Sequence, residues 1–311
     1  MTPSDPFSDS AHNQGGTPDG SQSPAAQTIP ALRVRVISTL TDAGVPDPDV
    51  DADLLIGHVL GLSRGQVQSA VIMGSALADE AAQRILELTA RRATREPLQH
   101  IVGTAPFRHL ELSVGPGVFV PRPETEQVAQ FAIDALSSMP DAAPIGVDLG
   151  TGSGAIALAM ATEVPHARIW AVENSPEAFP WTTKNFTDVG AENATLVFGD
   201  LAEALTELNG SVAVVISNPP YIPAAAIPRD PEVRLFDPAH ALYGGEDGLD
   251  VVRHVSQTAL RLLRSGGTLV IEHGELQGAE IRALLEADGW RATATHRDYT
   301  TRDRATTAVR P

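Results

Sequence analysis

The spacing of hydrophobic residues changes near residue 105, from a helical period to an alternation of strands and helices. After residue 28, apolar side chains recur every three or four residues in three stretches, near 32–40, 54–60 and 85–88. This spacing predicts a bundle of helices, and we expect a helical domain over 29–105. Residues 1–28 carry almost no large apolar side chains. Because such a segment cannot bury enough surface to offset the entropy lost on ordering, we expect a disordered tail.

A β-hairpin connector is predicted over 106–122. Its first arm alternates apolar with polar residues, the apolar positions being Phe107, Leu110, Leu112 and Val114. Gly115-Pro116-Gly117 supplies the turn, and Val118-Phe119-Val120 forms the second arm. The acidic residues Glu124 and Glu126 then indicate the first turn of a helix.

From 123 to 311, short apolar runs alternate with helical patterns. Strands are predicted at 145–149, 168–172, 195–199, 212–217 and 268–273. Helices are predicted at 154–163, 176–189, 249–264 and 275–288, and two further β-like runs lie within 291–310. This alternation predicts an α/β fold: a Rossmann-like, mostly parallel seven-stranded sheet with helices on both faces and two antiparallel strands at one edge.

The amino-acid composition disfavours several kinds of function. The chain has 311 residues, no cysteine and a formal net charge of −17. Without cysteine there is no disulfide and no thiolate, and the histidines lack metal-ligand spacing, so we expect no metal. An acidic chain repels phosphates, so stable nucleic-acid binding is not expected. No apolar run approaches the ~20 residues of a membrane helix, and we see no signal peptide. We therefore expect a cytoplasmic monomer without membrane attachment.

The most informative motif is Asn218-Pro219-Pro220-Tyr221, directly after the predicted strand 212–217. Proline fixes φ and forces extended geometry on the preceding residue, so the loop is stiff and its carbonyls point outward. The Asn218 side chain offers one acceptor and two donors. Such a loop can hold a planar amino group, because the side-chain oxygen accepts one N–H and a backbone carbonyl accepts the other. On the tetrapeptide alone, a proline-rich turn is an equal alternative.

A second motif follows the predicted strand 145–149, where the chain enters a helix through Gly150-Thr151-Gly152-Ser153-Gly154. Glycines permit close approach to a ligand, and the helix start offers N–H groups. Glu173 closes the next strand, where an acidic residue accepts from ribose hydroxyls. Asp200 closes the third strand, where a carboxylate can accept from an adenine amino group, and Leu201 beside it can cover the base. The turn also satisfies the dinucleotide pattern G-x-G-x-x-[G/A], so nicotinamide binding stays a competing interpretation.

Together these motifs resemble class I S-adenosylmethionine-dependent methyltransferases that methylate amino groups, and in particular the peptide-chain release factor glutamine methyltransferases (the PrmC/HemK family). The resemblance spans about residues 30 to 310. Its other segments are PLQHIVG at 97–103, VPRPETE at 120–126, DPA at 237–239, LYGGEDGL at 242–249, EHG at 272–274, RDY at 297–299 and RDR at 302–304. Three features depart from the family: the polar start, Glu173 where many relatives carry Asp, and Leu201 where some carry a larger residue.

The resemblance implies methyl transfer from S-adenosyl-L-methionine to the side-chain amide nitrogen of the glutamine in the Gly-Gly-Gln loop of class I release factors. It implies cofactor contacts at the 150–154 turn, Glu173, Asp200 or Leu201, and Asn218. Catalytic and substrate contacts would fall on Asn218, Pro219, Pro220 and Tyr221, with Phe119 and Arg122 nearby. The helical domain and the hairpin would dock the release factor.

Three other functions fit parts of the sequence pattern. An amino methyltransferase for adenine or guanine in rRNA or DNA fits the Asn218 loop, but the acidity of the chain disfavours it. A nicotinamide-dependent oxidoreductase fits the glycine turn but leaves the Asn218 loop without a role. A cofactor-binding protein without catalysis fits both motifs. We assign no general base, and we expect Glu124, Glu126 and Glu272 to be solvated or capping and His273 to be structural.

Overall fold

The computed structural model describes residues 27–311. The expected disorder of 1–26 thus lies outside the described residues, whereas Gln27 and Thr28 differ from the prediction. The Gln27 carbonyl accepts a hydrogen bond from the Leu77 N–H at 2.8 Å. The Thr28 hydroxyl accepts from the Ala31 N–H at 3.4 Å and so caps the first helix. The helical domain therefore engages the chain two residues earlier than predicted.

Five helices form the N-terminal domain, namely α1 (Ile29–Asp42), α2 (Pro48–Leu60), α3 (Arg64–Ile72), α4 (Asp79–Ala93) and α5 (Leu98–Val102). Their apolar faces share one core around Val36, Leu55 and Ile85. The predicted bundle had three helices, so α3 and α5 are additions. They span only nine and five residues, and periodicity has too few apolar positions there to reveal a helix.

The hairpin pairs β1 (Thr104–Phe107) with β2 (Leu110–Ser113), and this corrects the predicted span of 106–122. The turn lies at Arg108, whose φ is 53°, rather than at Gly115–Gly117. Glu126 accepts from the Arg108 N–H at 3.0 Å, and the Arg108 side chain pairs with Glu163. These distant partners stabilise a left-handed residue that no local signal indicates. The Gly115–Gly117 segment instead packs on Trp181, whose indole N–H donates to the Pro116 carbonyl.

Seven strands form the main sheet: β3 (Ile145–Leu149), β4 (Arg168–Glu173), β5 (Ala194–Phe198), β6 (Val212–Ser217), β7 (Leu263–Glu272), β8 (Arg291–Arg297) and β9 (Asp303–Val309). Their order is β5-β4-β3-β6-β7-β9-β8. The first five in this order are parallel, and β9 is antiparallel to both β7 and β8. The predicted Rossmann-like sheet with two antiparallel edge strands is confirmed.

Helices cover both faces of this sheet. They are α6 (Pro123–Ser137), α7 (Ala155–Glu163), α8 (Phe179–Val189), α11 (Asp250–Leu262) and α12 (Gly278–Ala287), whereas α9 (Pro231–Phe236) and α10 (Ala239–Leu242) are short helices in the connection after β6. One core packs α6 and α7 against the sheet, and a second core packs α11 and α12 against the other face. The short helices α9 and α10 follow β6 and were not predicted. Within 27–311, no helix combines the length and the hydrophobicity needed to cross a membrane.

The strand order places a switch between β3 and β6. The chain moves outward from β3 through β4 to β5, then returns to β6 on the other side of β3. In open α/β sheets, ligands bind at the carboxyl ends of the strands beside such a switch, because the two connecting loops diverge there. The glycine turn follows β3, and the Asn218 loop follows β6. The topology thus brings the two motifs to one crevice.

Candidate functional site

A cavity of about 740 Å³ lies at the carboxyl ends of β3, β4 and β6. Its size is that of a small-molecule site, which typically encloses about 300–1,000 Å³. It contains all predicted site residues except Gly154, namely Phe119, Arg122, Gly150, Thr151, Gly152, Ser153, Glu173, Asp200, Leu201, Asn218, Pro219, Pro220 and Tyr221. Five carboxylate side chains and three guanidinium groups line it, so the wall favours a ligand that carries positive charge.

The glycine turn adopts a backbone that other residues avoid. Gly150, Gly152 and Gly154 have φ values of 73°, 57° and 86°. A Cβ at Gly150 or Gly152 would meet no atom of the described residues within 4 Å, so these two positions present bare backbone to the cavity. A Cβ at Gly154 would lie 3.0 Å from the Phe186 ring. Gly154 therefore permits close packing of α7 against α8 and lies outside the cavity wall.

Glu173 holds the glycine turn in place. Its Oε2 accepts from the Gly152 N–H at 2.7 Å, and its Oε1 accepts from the N–H groups of Asn174 and Ser175 at 3.0 and 2.8 Å. The residue is only 6% exposed. Because each carboxylate oxygen has two lone pairs, Oε2 keeps one acceptor position for a ligand hydroxyl. The side chain thus both shapes the turn and can bind ribose.

Asp148, at the penultimate position of β3, supports the same turn from below and was not predicted. Its Oδ2 accepts from the Thr151 hydroxyl at 2.6 Å and from the Ala157 N–H at 3.2 Å. Burial raises the pKa of Asp148 to about 7, against the lowering effect of these two hydrogen bonds. The only sequence signal for this role was an acidic residue inside an otherwise apolar strand.

Asp200 and Leu201 lie at the end of β5, on the opposite side of the turn. The Asp200 Oδ1 accepts from the Ala202 N–H at 2.8 Å, which fixes the side chain at the cavity wall. Leu201 packs against the core that contains α11, and it also lines the cavity. A flat base bound between them would meet a carboxylate edge and an apolar face.

The Asn218–Tyr221 loop is held on both sides. The Ser217 hydroxyl donates to the Leu149 carbonyl at 2.6 Å and ties β6 to β3 just below Asn218. The Gln277 side chain donates to the Tyr221 carbonyl at 2.9 Å. Burial raises the pKa of Tyr221 to about 12, and the nearby Glu272 adds to this shift. Tyr221 therefore presents a protonated hydroxyl at neutral pH.

Comparison with known proteins identifies the family. The model of the PrmC N-terminal domain matches residues 31–103, and that of the methyltransferase small domain matches residues 109–245. A release factor glutamine methyltransferase of Streptomyces coelicolor is 49% identical over 271 residues, which cover 86% of this chain and 93% of that protein. The chain belongs to the release factor glutamine methyltransferase family. The resemblance found in the sequence is confirmed.

Two further comparisons place this member of the release factor glutamine methyltransferase family among its neighbours. A 4-amino-L-phenylalanine/4-methylamino-L-phenylalanine methyltransferase of Streptomyces pristinaespiralis is 38% identical and covers 92% of this chain and 96% of its own. A crystal structure of a release-factor-specific protein-(glutamine-N5) methyltransferase from Alicyclobacillus acidocaldarius is 25% identical, with a TM-score of 0.38. It covers 64% of this chain and 98% of that chain.

The segment 242–249, one of those that carry the resemblance in the sequence, packs against the Asn218 loop. A Cβ at Gly244 would lie 2.4 Å from the Pro220 carbonyl oxygen, and one at Gly248 would lie 2.4 Å from the Tyr221 carbonyl oxygen. Backbone hydrogen bonds join Ile222 to both Leu242 and Gly244. The two glycines are required because the loop backbone lies directly on them.

Arg122 and Phe119, predicted near the substrate, form one wall of the cavity. The Arg122 guanidinium lies 4.9 Å from the centre of the Phe119 ring and donates to Asp237 Oδ2 at 2.6 Å. Burial raises the pKa of Asp237 to about 6, while the charge of Arg122 lowers it. Asp237 thus orients Arg122, a role that sequence reasoning did not assign.

An ion cluster joins the helical domain to the wall of the cavity. Arg95 donates to both carboxylate oxygens of Glu232 at 2.7 and 2.5 Å, and Arg92 pairs with the same carboxylate at 2.8 Å. Arg92 also donates to Asp51 at 2.7 Å. Burial would raise the pKa of Glu232, but the hydrogen bond from Arg95 and further hydrogen bonds lower it to about 2. Because α9 follows the cavity segment 227–230, this cluster fixes that segment relative to α4.

The three glutamates that were expected to be solvated or capping, Glu124, Glu126 and Glu272, have different environments. Glu126 accepts the Arg108 N–H of the hairpin turn, so it stabilises a distant loop and does not cap its own helix. Glu124 lines the cavity. Glu272 is 1% exposed at the end of β7, so the expectation of a solvated or capping residue is wrong. His273 is buried, with its ring nitrogens 2.8 Å from the Gly274 carbonyl and 2.9 Å from the Thr306 hydroxyl, as expected of a structural residue.

Proposed function

We propose that this protein transfers a methyl group from S-adenosyl-L-methionine to the side-chain amide nitrogen of the Gly-Gly-Gln glutamine in class I release factors. The supporting observation is that one cavity contains both the glycine turn with Glu173 and the Asn218–Tyr221 loop. The first motif suits a nucleoside, and the second suits an amino or amide nitrogen. The release factor is supported as the substrate because relatives, such as the Streptomyces coelicolor protein, are named release factor glutamine methyltransferases.

The residues present fit S-adenosylmethionine. Bare backbone at Gly150 and Gly152 leaves room for close approach, and Glu173 Oε2 keeps an acceptor for a ribose hydroxyl. The acidic wall complements a positively charged ligand. When bound, this cofactor supplies a methyl group on a sulfonium, which is a good leaving group. The remaining chemistry falls to residues that hold and orient the acceptor nitrogen.

Asn218 and Pro219 would orient that nitrogen. An amide nitrogen is a poor nucleophile, because its lone pair is delocalised into the carbonyl. With one N–H donated to Asn218 Oδ1 and the other to the Pro219 carbonyl, both protons of the nitrogen would be held and its lone pair would be left free for the incoming methyl group. Alignment of this kind can contribute about 7–11 kcal/mol to lowering a barrier. The acceptors would also stabilise positive charge as the N–C bond forms and the S–CH3 bond breaks, while the Tyr221 ring covers the substrate group. The methylated amide is then very acidic and would release its proton to solvent without a dedicated base.

The helical domain and the hairpin would dock the release factor. The ion cluster of Arg92, Arg95 and Glu232 supports this role, because it couples α4 to the cavity segment before α9. Binding on the helical domain would thus be transmitted to the wall that surrounds the glutamine. We propose that the protein works as a cytoplasmic monomer and does not hold nucleic acid stably, in keeping with its net charge of −17.

A second candidate is an aromatic amine, since the Streptomyces pristinaespiralis relative is named for such substrates. The Asn218 loop can accept the two N–H groups of an arylamine in the same way. Purified protein should be incubated with S-adenosylmethionine and, separately, a class I release factor, 4-amino-L-phenylalanine or rRNA, with Asn218→Ala as a control. One added methyl on the Gly-Gly-Gln glutamine, found by peptide mass spectrometry, is expected. Methylation of only the arylamine or only the rRNA would refute the proposal.

A further inference from the structure

Glu272 lies beside Asn218 at the carboxyl edge of the sheet. Strands β6 and β7 are parallel, with Ser217 opposite Ile271, so the next residue of each strand stands next to the other. On its other side Glu272 faces Ala305 of β9, a side chain too short to compete for the carboxylate. The register therefore places Glu272 beside Asn218, the first residue of the loop proposed to hold the acceptor nitrogen.

The two carboxylate oxygens of Glu272 differ in their hydrogen bonding within residues 27–311. Its Oε1 accepts from the Thr125 hydroxyl at 3.1 Å. Its Oε2 is buried and has no well-aligned hydrogen-bond partner among residues 27–311. The Asn218 amide is close enough to lower the pKa of this carboxyl. Because a buried carboxylate oxygen without a donor is costly, Oε2 favours whichever conformation of Asn218 turns an N–H towards it.

We infer that Glu272 is a positioning residue that fixes the orientation of the Asn218 amide, with Nδ2 turned to Glu272 Oε2 and Oδ1 turned into the cavity. An asparagine amide can flip, and only one of its two orientations offers an acceptor to the substrate. An ionised carboxylate can only accept, so it selects the orientation with Nδ2 facing it. The inference rests on the proposed function, in which Asn218 Oδ1 accepts an N–H of the nitrogen to be methylated.

The selection depends on the charge of Glu272. Burial raises the pKa of Glu272 to about 7. The surrounding elements contribute Thr125 and Glu124 from α6, Arg304 from β9, and Tyr221 beside Asn218; Thr125 and Arg304 lower this pKa and Glu124 raises it. Below this pH the carboxyl becomes protonated, and its O–H can donate to Asn218 Oδ1. The non-productive orientation then becomes compatible with the site, so turnover should fall as the pH drops through the pKa of Glu272.

Single-turnover methyl transfer to the release factor tests the inference, at saturating S-adenosylmethionine from about pH 6 to about pH 9. For the wild type, we expect a rate that rises through neutral pH. Glu272→Gln can accept or donate towards Asn218, so both amide orientations persist at every pH. We expect a rate about twofold lower above neutral pH, because two orientations of similar free energy leave about half of the molecules productive. We also expect the acidic limb to disappear, with the Kd for the release factor and the Kd for the cofactor each within about twofold.

The controls separate positioning from folding. Glu286→Gln removes an exposed carboxylate on α12 and should keep both the rate and the pH profile. Thermal unfolding and calorimetric binding of S-adenosylmethionine should show that Glu272→Gln is folded. A flat pH profile for the wild type, or an acidic limb that persists in Glu272→Gln, would overturn the inference even if methylation of the release factor is observed. Absence of methylation by the wild type would instead count against the proposed function.

Discussion

The substitution Gly244→Ala tests whether the position of the Asn218 loop controls turnover. Gly244 does not line the cavity, and it packs against the backbone of the Asn218 loop. An added Cβ would lie 2.4 Å from the Pro220 carbonyl oxygen and 2.6 Å from the Gly248 carbonyl oxygen. Ordinary contacts between heavy atoms lie at roughly 3.5 Å. The loop must therefore move by about 1 Å to accept one methyl group.

A displacement of this size should act on alignment more than on binding. Misplacement of about 1 Å can lower a rate about 100-fold, because the reacting atoms leave their line of attack. We expect kcat for Gly244→Ala to fall about 100-fold. The Kd for S-adenosylmethionine should change by less than about threefold, since the glycine turn and Glu173 lie on β3 and β4 rather than on this loop. The crowding should also lower the free energy of unfolding by about 1–3 kcal/mol.

The assay is methyl transfer to purified release factor, followed by mass spectrometry, with cofactor affinity measured by calorimetry and stability by urea unfolding. Gly65→Ala is a matched control: Gly65 lies in α3, has no positive φ, and its Cβ would meet no atom of residues 27–311 within 4 Å. That control should retain full activity and gain up to about 1 kcal/mol of stability. If Gly244→Ala turned over within threefold of the wild type, close support of the loop would not matter for alignment.

Three other changes follow from the same site. Asn218→Ala should lower kcat by about 100- to 1,000-fold while the calorimetric Kd for S-adenosylmethionine stays within about threefold; an equal loss in both would mean that Asn218 serves cofactor binding. Glu173→Gln should raise that Kd by about tenfold, because the ribose loses a charged acceptor, and an unchanged Kd would contradict the assignment. Glu232→Ala should destabilise the protein by about 3 kcal/mol in urea at neutral pH, because Arg92 and Arg95 lose a buried partner. The folded-state pKa of Glu232 lies below its ordinary 4.5, so its stabilisation is present above pH 4.5 and is lost towards pH 2; a variant as stable as the wild type at neutral pH would refute it.

Strand predictions succeeded where burial on both faces makes a continuous apolar run. Strands β3 and β6 lie at the centre of the sheet, and their predicted bounds are those observed. The predicted site residues share one cavity for a related reason: parallel strands end at one edge, so motifs that follow β3, β4, β5 and β6 must be neighbours. The family motifs then supplied the chemistry, because they specify how the Asn218 loop and the glycine turn combine.

The hairpin shows where local sequence was insufficient. Gly115-Pro116-Gly117 carries a strong turn signal, yet the strands reverse at Arg108. The left-handed Arg108 is stabilised by Glu126 and Glu163, which lie 18 and 55 positions further along the chain. The helices α9 and α10 were missed for a similar reason, since helices of six and four residues depend on tertiary packing rather than on their own propensity.

The sequence by itself determined the order of the strands and longer helices of the main sheet, its parallel arrangement and the two motifs that meet in the cavity, because these depend on hydrophobic period and on strand polarity. Only the tertiary structure decided the environment of Glu272, which looked like a surface residue and proved to be buried beside Asn218. Burial and the proximity of distant charges set the protonation and orientation of polar groups. Those quantities arise from contacts across the sheet, and no local pattern records them.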